Sequence, residues 1–186
     1  MNKQLYLGVD LGTSSIKLSL ADQKGIIIDS AKEKYPLYVS NENWTEQNPD
    51  DWYNAYVACL KELGKRNDLS NIKSLSYSGQ MHGLVILDEN DKVIRNALLW
   101  NDVRTTNQTK EINDYFGKEK LVFLTGNIAI DGFTAPKLLW VKENEPDNFK
   151  KIKKIMLPKD YLAYKTTNVF ASDVSDLSGT LLFDVR

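Results

Sequence analysis

Tyr6-Leu7-Gly8-Val9-Asp10-Leu11-Gly12-Thr13-Ser14-Ser15-Ile16-Lys17-Leu18-Ser19-Leu20 is an apolar run broken by a carboxylate, a glycine and three hydroxyls, and then resumed. The alternation on either side predicts two strands of a hairpin with Gly12 to Ser15 as its turn. A glycine turn lets backbone N–H groups converge on an anion, the Thr13 and Ser14 hydroxyls add donors, and Asp10 beside them can hold Mg²⁺ through oxygen ligands. The stretch therefore reads as a phosphate-binding turn of nucleotide chemistry. The competing reading is a plain turn in which Asp10 accepts hydrogen bonds from Thr13 or Ser14. Neither G-x-x-x-x-G-K-[ST] nor G-x-G-x-x-G occurs, so the two common nucleotide folds lose support.

Outward from the hairpin, Gly25 to Ala31 adds a third strand beyond the Asp22-Gln23-Lys24 turn, giving a three-stranded meander. Tyr35 to Asn48 reads as irregular. A helix is predicted from Pro49 to about Leu63, with Asn48 as N-cap, Asp50 and Asp51 in the first turn and Gly64 as its stop. Ile72 to Ser78 and Leu84 to Leu87 read as a second hairpin around Gly79-Gln80-Met81-His82-Gly83. Asp88 to Asp91 is a turn and Ala97 to Trp100 a short buried strand. Thr105–Phe116, Lys118–Leu124, Ala135–Glu143 and Pro158–Tyr164 read as helices, and Ile152–Leu157 as a strand. Strands with interspersed helices predict an α/β layer fold. Asp173 to Arg186 carries turn residues and then an apolar run with nothing to cap a domain, so a cut end is expected there.

The chain of 186 residues, 42% hydrophobic and 26% charged, is long enough to bury a core as one domain. A net charge of -1 gives no general electrostatic reason for a nucleic-acid or anionic-membrane partner, and neither is expected. Cys59 is the single cysteine and sits on a helix face, where packing is expected over reactivity. With no signal-peptide core and no apolar run of spanning length, a cytoplasmic protein is the default expectation.

Two polar clusters stand where strands should end. Gln80-Met81-His82-Gly83 places the only histidine beside a glycine, which permits close backbone approach to a ligand. Trp100-Asn101-Asp102-Val103-Arg104 sets an indole beside an amide, a carboxylate and a guanidinium, which is what a polyol site needs: a ring for the apolar sugar face and polar groups for the hydroxyls. Taken singly, His82 reads as a satisfied structural histidine, and Asp102 with Arg104 as a local ion pair of roughly 0–1 kcal/mol. Trp44, Trp52, Phe133 and Trp140 read as packing residues.

Together these segments resemble the N-terminal domain of the FGGY carbohydrate kinases, most of all their bacterial xylulokinase branch. The matching residues are Asp10 to Lys17, Trp44 to Pro49, Ser78 to Gly83, Leu99 to Thr105, Gly132 to Lys137 and Asp173 to Asp184. The resemblance implies a ribonuclease-H-like fold of the actin, Hsp70 and hexokinase superfamily: a mixed sheet opening with a three-stranded meander, and helices on both faces. It implies ATP and Mg²⁺ as cofactors, with Asp10 the metal-associated catalytic carboxylate and Gly12, Thr13, Ser14 and Lys17 the phosphate-binding set. The implied substrate is D-xylulose, contacted by Met81, His82, Trp100, Asn101, Asp102 and Arg104, and the implied product is D-xylulose 5-phosphate. Glycerol kinases carry an Arg-Glu pair where this chain has Met81-His82, which favours xylulose.

On this resemblance residues 1–186 are an N-terminal sugar-binding and phosphate-turn domain, truncated before its end and lacking the C-terminal nucleotide-binding domain. The family's general-base aspartate then lies beyond Arg186, the fragment is expected to be inactive alone, and a homodimer of the full-length enzyme stays open. Another FGGY sugar or polyol kinase, or a non-catalytic sugar-sensing member of the superfamily, is the alternative.

Overall fold

The opening alternation becomes β1 (Leu5–Leu11) and β2 (Ser15–Asp22), an antiparallel pair with Asp10 opposite Lys17 and Leu11 opposite Ile16. These coordinates are a computed structural model that describes residues 4–40 and 44–186. β3 (Ile27–Lys34) pairs antiparallel with β2, completing the meander. α1 (Pro49–Gly64) and a 3-10 turn (Leu69–Asn71) follow, and β6 (Ile72–Gly79) then joins β1 in parallel, giving the sheet order β3-β2-β1-β6.

These elements form the first of two units, residues 1–36 with 50–80. Leu5, Leu7, Val9 and Leu11 of β1 and Ile16, Leu18 and Leu20 of β2 are buried on one face. Trp52, Ala55, Tyr56, Cys59 and Leu63 form the helical stripe of α1 that completes this core. Burial pushes the Cys59 thiol up to about 11, helped by the charge of Glu33, so it is the packing residue expected. Tyr6, Asp10 and Lys17 lie on the opposite, exposed face among the described residues.

The second unit takes residues 37–49 and 81–186. Here the structure corrects two expectations. The stretch read as irregular holds β4 (Tyr38–Ser40) and β5 (Trp44–Gln47), which build a small sheet with β8 (Ala97–Leu98). Strands this short show too few alternations to be read locally, and Glu46, opposite Tyr38 on β4, meets its other partner far along the chain at Leu98. The expected second hairpin does not form: β7 (Val85–Leu87) pairs antiparallel with β9 (Lys154–Met156), while β6 belongs to the first unit's sheet. All three β7 residues are buried, so their apolar run carried no information on which strand they meet.

The helices of this unit are α2 (Thr106–Phe116), α3 (Lys118–Thr125), α4 (Thr134–Asn144), α5 (Pro146–Lys151), α6 (Pro158–Thr167) and the one-turn α7 (Val174–Leu177), followed by a 3-10 turn at Ser178–Thr180. α5 was not expected from the sequence; Pro146 at its first position and Lys150 and Lys151 in its last turn are its local signals. Leu84, Ile86, Leu98, Trp140 and Val141 form the core, with Trp44, Phe149 and Ile155 packed on it. No helix among the described residues is long and apolar enough to cross a membrane.

Candidate functional site

In the first unit Asp10 is exposed near the end of β1, opposite Lys17 on β2 and Ser78 on β6. The Gly12 N–H donates to the Ser15 carbonyl at 3.1 Å and closes the turn. Tyr35, just past β3, donates its hydroxyl to the Gly12 carbonyl. Burial and the charge of Asp10 hold this phenol above its usual range, so it stays a donor. Tyr35 braces the turn, yet it stood in the stretch read as irregular; its place directly after the third strand was the only signal. A lone carboxylate beside such a turn suits Mg²⁺, which keeps several waters and is held by one or two carboxylates together with substrate phosphates.

In the second unit His82 adopts φ 63°, a left-handed conformation uncommon outside glycine and worth a functional hypothesis where the surroundings enforce it. The enforcing contacts are specific. The Thr134 hydroxyl donates to the His82 carbonyl at 3.1 Å, and the Phe133 ring lies 4.7 Å from the imidazole centroid. A Cβ on Gly179 would stand 2.8 Å from His82 Nδ1, so only glycine lets that backbone reach the ring. Burial, with the Lys137 charge, lowers the His82 pKa below 6.5, while the Gly179 backbone and the Asp176 carboxylate act the other way. The imidazole is therefore neutral at pH 7, with one nitrogen to donate and one to accept.

The Trp100 cluster divides in two. Trp100 is 46% exposed, as Met81 is at 48%. Asn101 accepts from the Thr45 hydroxyl at 2.9 Å. Asp102, at 0% exposure, turns inward. Its Oδ2 accepts from the Thr45 N–H at 2.8 Å and from the Arg104 guanidinium at 2.7 Å, and its Oδ1 from Arg104 Nε at 2.8 Å. The Arg104 side chain, 1% exposed, also meets Glu46 at 2.8 Å and lies 4.2 Å over Trp44 and 4.9 Å over Trp140. The residues weighed as a weak local ion pair are thus a buried one, next in sequence to Asn101 and the exposed Trp100.

The loop 131–134 joins both clusters, because a Cβ on Gly132 would stand 2.9 Å from the Trp100 carbonyl while Thr134 holds His82. Lys137, fully buried, ties this loop by donating Nζ to the carbonyls of Asp131, Gly132 and Phe133 at 3.0, 2.5 and 3.1 Å. Phe133, Thr134, Lys137 and Gly179 were given no site role from sequence; their motifs were visible, but nothing local links them to His82.

Residues 5–186 match the FGGY family of carbohydrate kinases, N-terminal domain. The chain belongs to that family. It is 44% identical over 181 residues to the xylulose kinase of Bacillus subtilis strain 168, covering 96% of this chain and 36% of that protein. It is 41% identical over 181 residues to the xylulose kinase of Escherichia coli K12, covering 97% and 37%. A crystal structure described as a xyloylose kinase from Brucella ovis superposes with a TM-score of 0.92 at 39% identity, covering 97% of this chain and 38% of that one. The chain thus spans little more than a third of the length of these relatives. Its fold is that of the FGGY kinases, the actin and hexokinase-like arrangement that the family resemblance implied.

Lys137 offers a check on this FGGY loop that needs no catalysis. Burial, reinforced by Arg104 and opposed by Asp102 and Asp131, pulls its ammonium down to about 7. Between about pH 7 and 10.5 the unfolded chain therefore binds one more proton at this side chain, so its contribution makes stability rise with pH; below pH 7 both states are protonated and the slope vanishes. Urea denaturation of wild type and Lys137→Met at pH 7 and 9.5 should show the difference moving in favour of wild type at the higher pH. A pH-independent difference would contradict the shift.

Proposed function

We propose that this chain is the sugar-contacting and phosphate-turn portion of a kinase that transfers the γ-phosphoryl group of ATP to a terminal hydroxyl of D-xylulose. The observation that carries this reading is His82, held at positive φ by Thr134, Phe133 and Gly179 beside the exposed Met81. The xylulose kinases it resembles at 41–44% identity support the choice of sugar. A polyol needs apolar surface for its C–H face and paired donors and acceptors for its hydroxyls. Met81 and Trp100 supply the first, His82 and Asn101 the second. Asp102 and Arg104 act as buried supports, tying the backbone next to Trp100 and Asn101 to Thr45.

Asp10 would hold Mg²⁺ at the phosphates, and the turn at Gly12, Thr13 and Ser14 would offer them donors, with Lys17 adding positive charge. When bound, the metal neutralises charge on the transferring phosphoryl group. His82 orients the ketose and does not take its proton; that base is an aspartate outside these 186 residues, so the chain alone leaves xylulose unphosphorylated.

The test is sugar-dependent ADP release by the enzyme that includes this chain, with xylulose, other pentuloses, pentitols and glycerol. Xylulose should be preferred. His82→Asn keeps a donor and an acceptor but does not titrate near neutrality, so it should raise KM for xylulose several-fold, since losing a few hydrogen bonds costs roughly 1–3 kcal/mol. The pH profile of kcat should be unchanged. A variant that binds xylulose normally but loses kcat about a thousandfold, within the range of a lost general base, would make His82 the base and overturn this reading.

A further inference from the structure

Lys159, in the first turn of α6, is mostly buried, and its ammonium reaches Asp160 at 2.8 Å, Asp173 at 2.6 Å and Asp176 at 3.1 Å. Asp160 also accepts from the Ser172 hydroxyl at 2.6 Å. Asp173 is the N-cap of α7, its carboxylate accepting from the Asp176 N–H at 3.0 Å. Two residues past the end of α7, in the 3-10 turn, stands Gly179, which is buried against the imidazole of His82.

What holds this segment on α6 is therefore a matter of charge. Residues 167–175 are all exposed, and α7 has no buried residue, so hydrophobic burial contributes little to its placement. A four-residue helix does not hold itself together either. The segment is also tied by the Ser172 hydroxyl on Asp160, by Asn127, which donates to the Ser178 carbonyl at 3.1 Å, and by the contact of its 3-10 turn with α4. Partly buried ion pairs are screened less than surface ones, and one cation shared by three carboxylates leaves no substitute partner if it is removed.

We propose that Lys159 is a positioning residue for His82: by pairing with Asp160, Asp173 and Asp176 it clamps the segment from Ser172 to Thr180 onto α6 and so presses Gly179 against the imidazole. Although burial works against its charge, the bonds to Asp160 and Asp173 hold the Lys159 ammonium above its usual range, and Asp173 is held below the usual carboxylate range chiefly by Lys159. The charged groups that face His82 are Lys137 from α4 and Asp176 from α7; Phe133, which packs on the ring, is uncharged. Lys159 thus acts on His82 twice, by keeping the Gly179 backbone over the ring and by partly neutralising Asp176. The proposal gains its catalytic meaning from the reading of His82 as the ketose contact, but its test needs no sugar.

His82 is the one histidine of these 186 residues, and its Cε1–Hε1 resonance, assigned by its loss in His82→Asn, can be followed through a pH titration of the enzyme that includes this chain. In Lys159→Met the His82 pKa should move up towards 6.5: an uncovered ring is relieved of the burial that lowers it most, an effect larger than either the Gly179 or the Asp176 contribution lost with the segment, and a ring still covered faces Asp176 without its counter-charge. Lys159→Arg should keep the wild-type titration. An unshifted or lowered pKa in Lys159→Met, or an arginine variant displaced as far as the methionine one, would overturn the proposal. Should Lys159→Met fail to fold, Asp176→Asn decides: it leaves Lys159 paired with Asp160 and Asp173, so the ring stays covered and loses only the raising charge. Its His82 pKa should fall, and an unchanged value would mean that the segment is not held at the ring. Failure of the ketose reading would show separately, as a wild-type His82 resonance unmoved by xylulose.

Discussion

Asp10→Ala is expected to lower kcat for phosphoryl transfer by roughly 10²–10³-fold, the loss typical of removing one preorganised group that stabilises transition-state charge. The proposal places Asp10 at the metal and the phosphates, not at the sugar. Xylulose binding measured without nucleotide should therefore persist, and the loss should appear in kcat and in the response to added Mg²⁺. The structure sets the stage for this split: Asp10 lies on the exposed face of the first unit's sheet, next to a turn closed by the Gly12–Ser15 bond and braced by Tyr35. Assayed in the enzyme that includes this chain, a kcat within a few-fold of wild type would reduce the hairpin to the plain turn that the sequence also allowed.

Arg104→Met should produce the largest loss of stability, about 3–5 kcal/mol, the usual cost of leaving one member of a buried ion pair uncompensated. Asp102 is fully buried and takes its hydrogen bonds from the Arg104 guanidinium and from the N–H groups of Thr45 and residue 104, so methionine would leave its carboxylate on those two backbone donors without the paired cation. Glu46 would lose a partner at 2.8 Å, and Trp44 and Trp140 the cation between them. For a chain of this size the midpoint of thermal unfolding should fall by about 10 °C, at a few degrees per kcal/mol. Lys110→Met is the internal control. Its pair with Asp114 is one helical turn apart with side chains 76% and 64% exposed, and such pairs are worth about 0–1 kcal/mol. Equal effects of the two substitutions would show that Asp102 and Arg104 are no more than the weak pair their sequence spacing suggests.

The elements legible in the sequence are those whose signal is local. The β1–β2 hairpin was written in period-two alternation around a glycine turn, and α1 in Pro49, two acidic first-turn residues and a 3.6-period stripe ending at Gly64. The phosphate turn was legible for the same reason, since Asp10 and Gly12 to Ser14 are neighbours in the chain. Met81-His82 and Trp100 to Arg104 stood out as residue types, which marked where to look without saying which way each side chain faces.

That facing direction was a tertiary outcome. Asp102 and Arg104 looked like sugar contacts beside Trp100, but the Thr45 N–H, 57 residues away in sequence, and the indoles of Trp44 and Trp140 draw them inward. β7 and β9 pair across a long connection, and Glu46 meets Leu98, because strand partners are chosen by where the core closes. Phe133, Gly179 and Lys159 came to bear on His82 the same way. By itself the sequence determined the FGGY hairpin, the longer helices and the kinds of chemistry on offer, since these rest on interactions within a few residues. Only the tertiary structure decided which polar residues stay at the surface and which are buried as supports, because desolvation and close packing depend on neighbours that the chain brings together from afar.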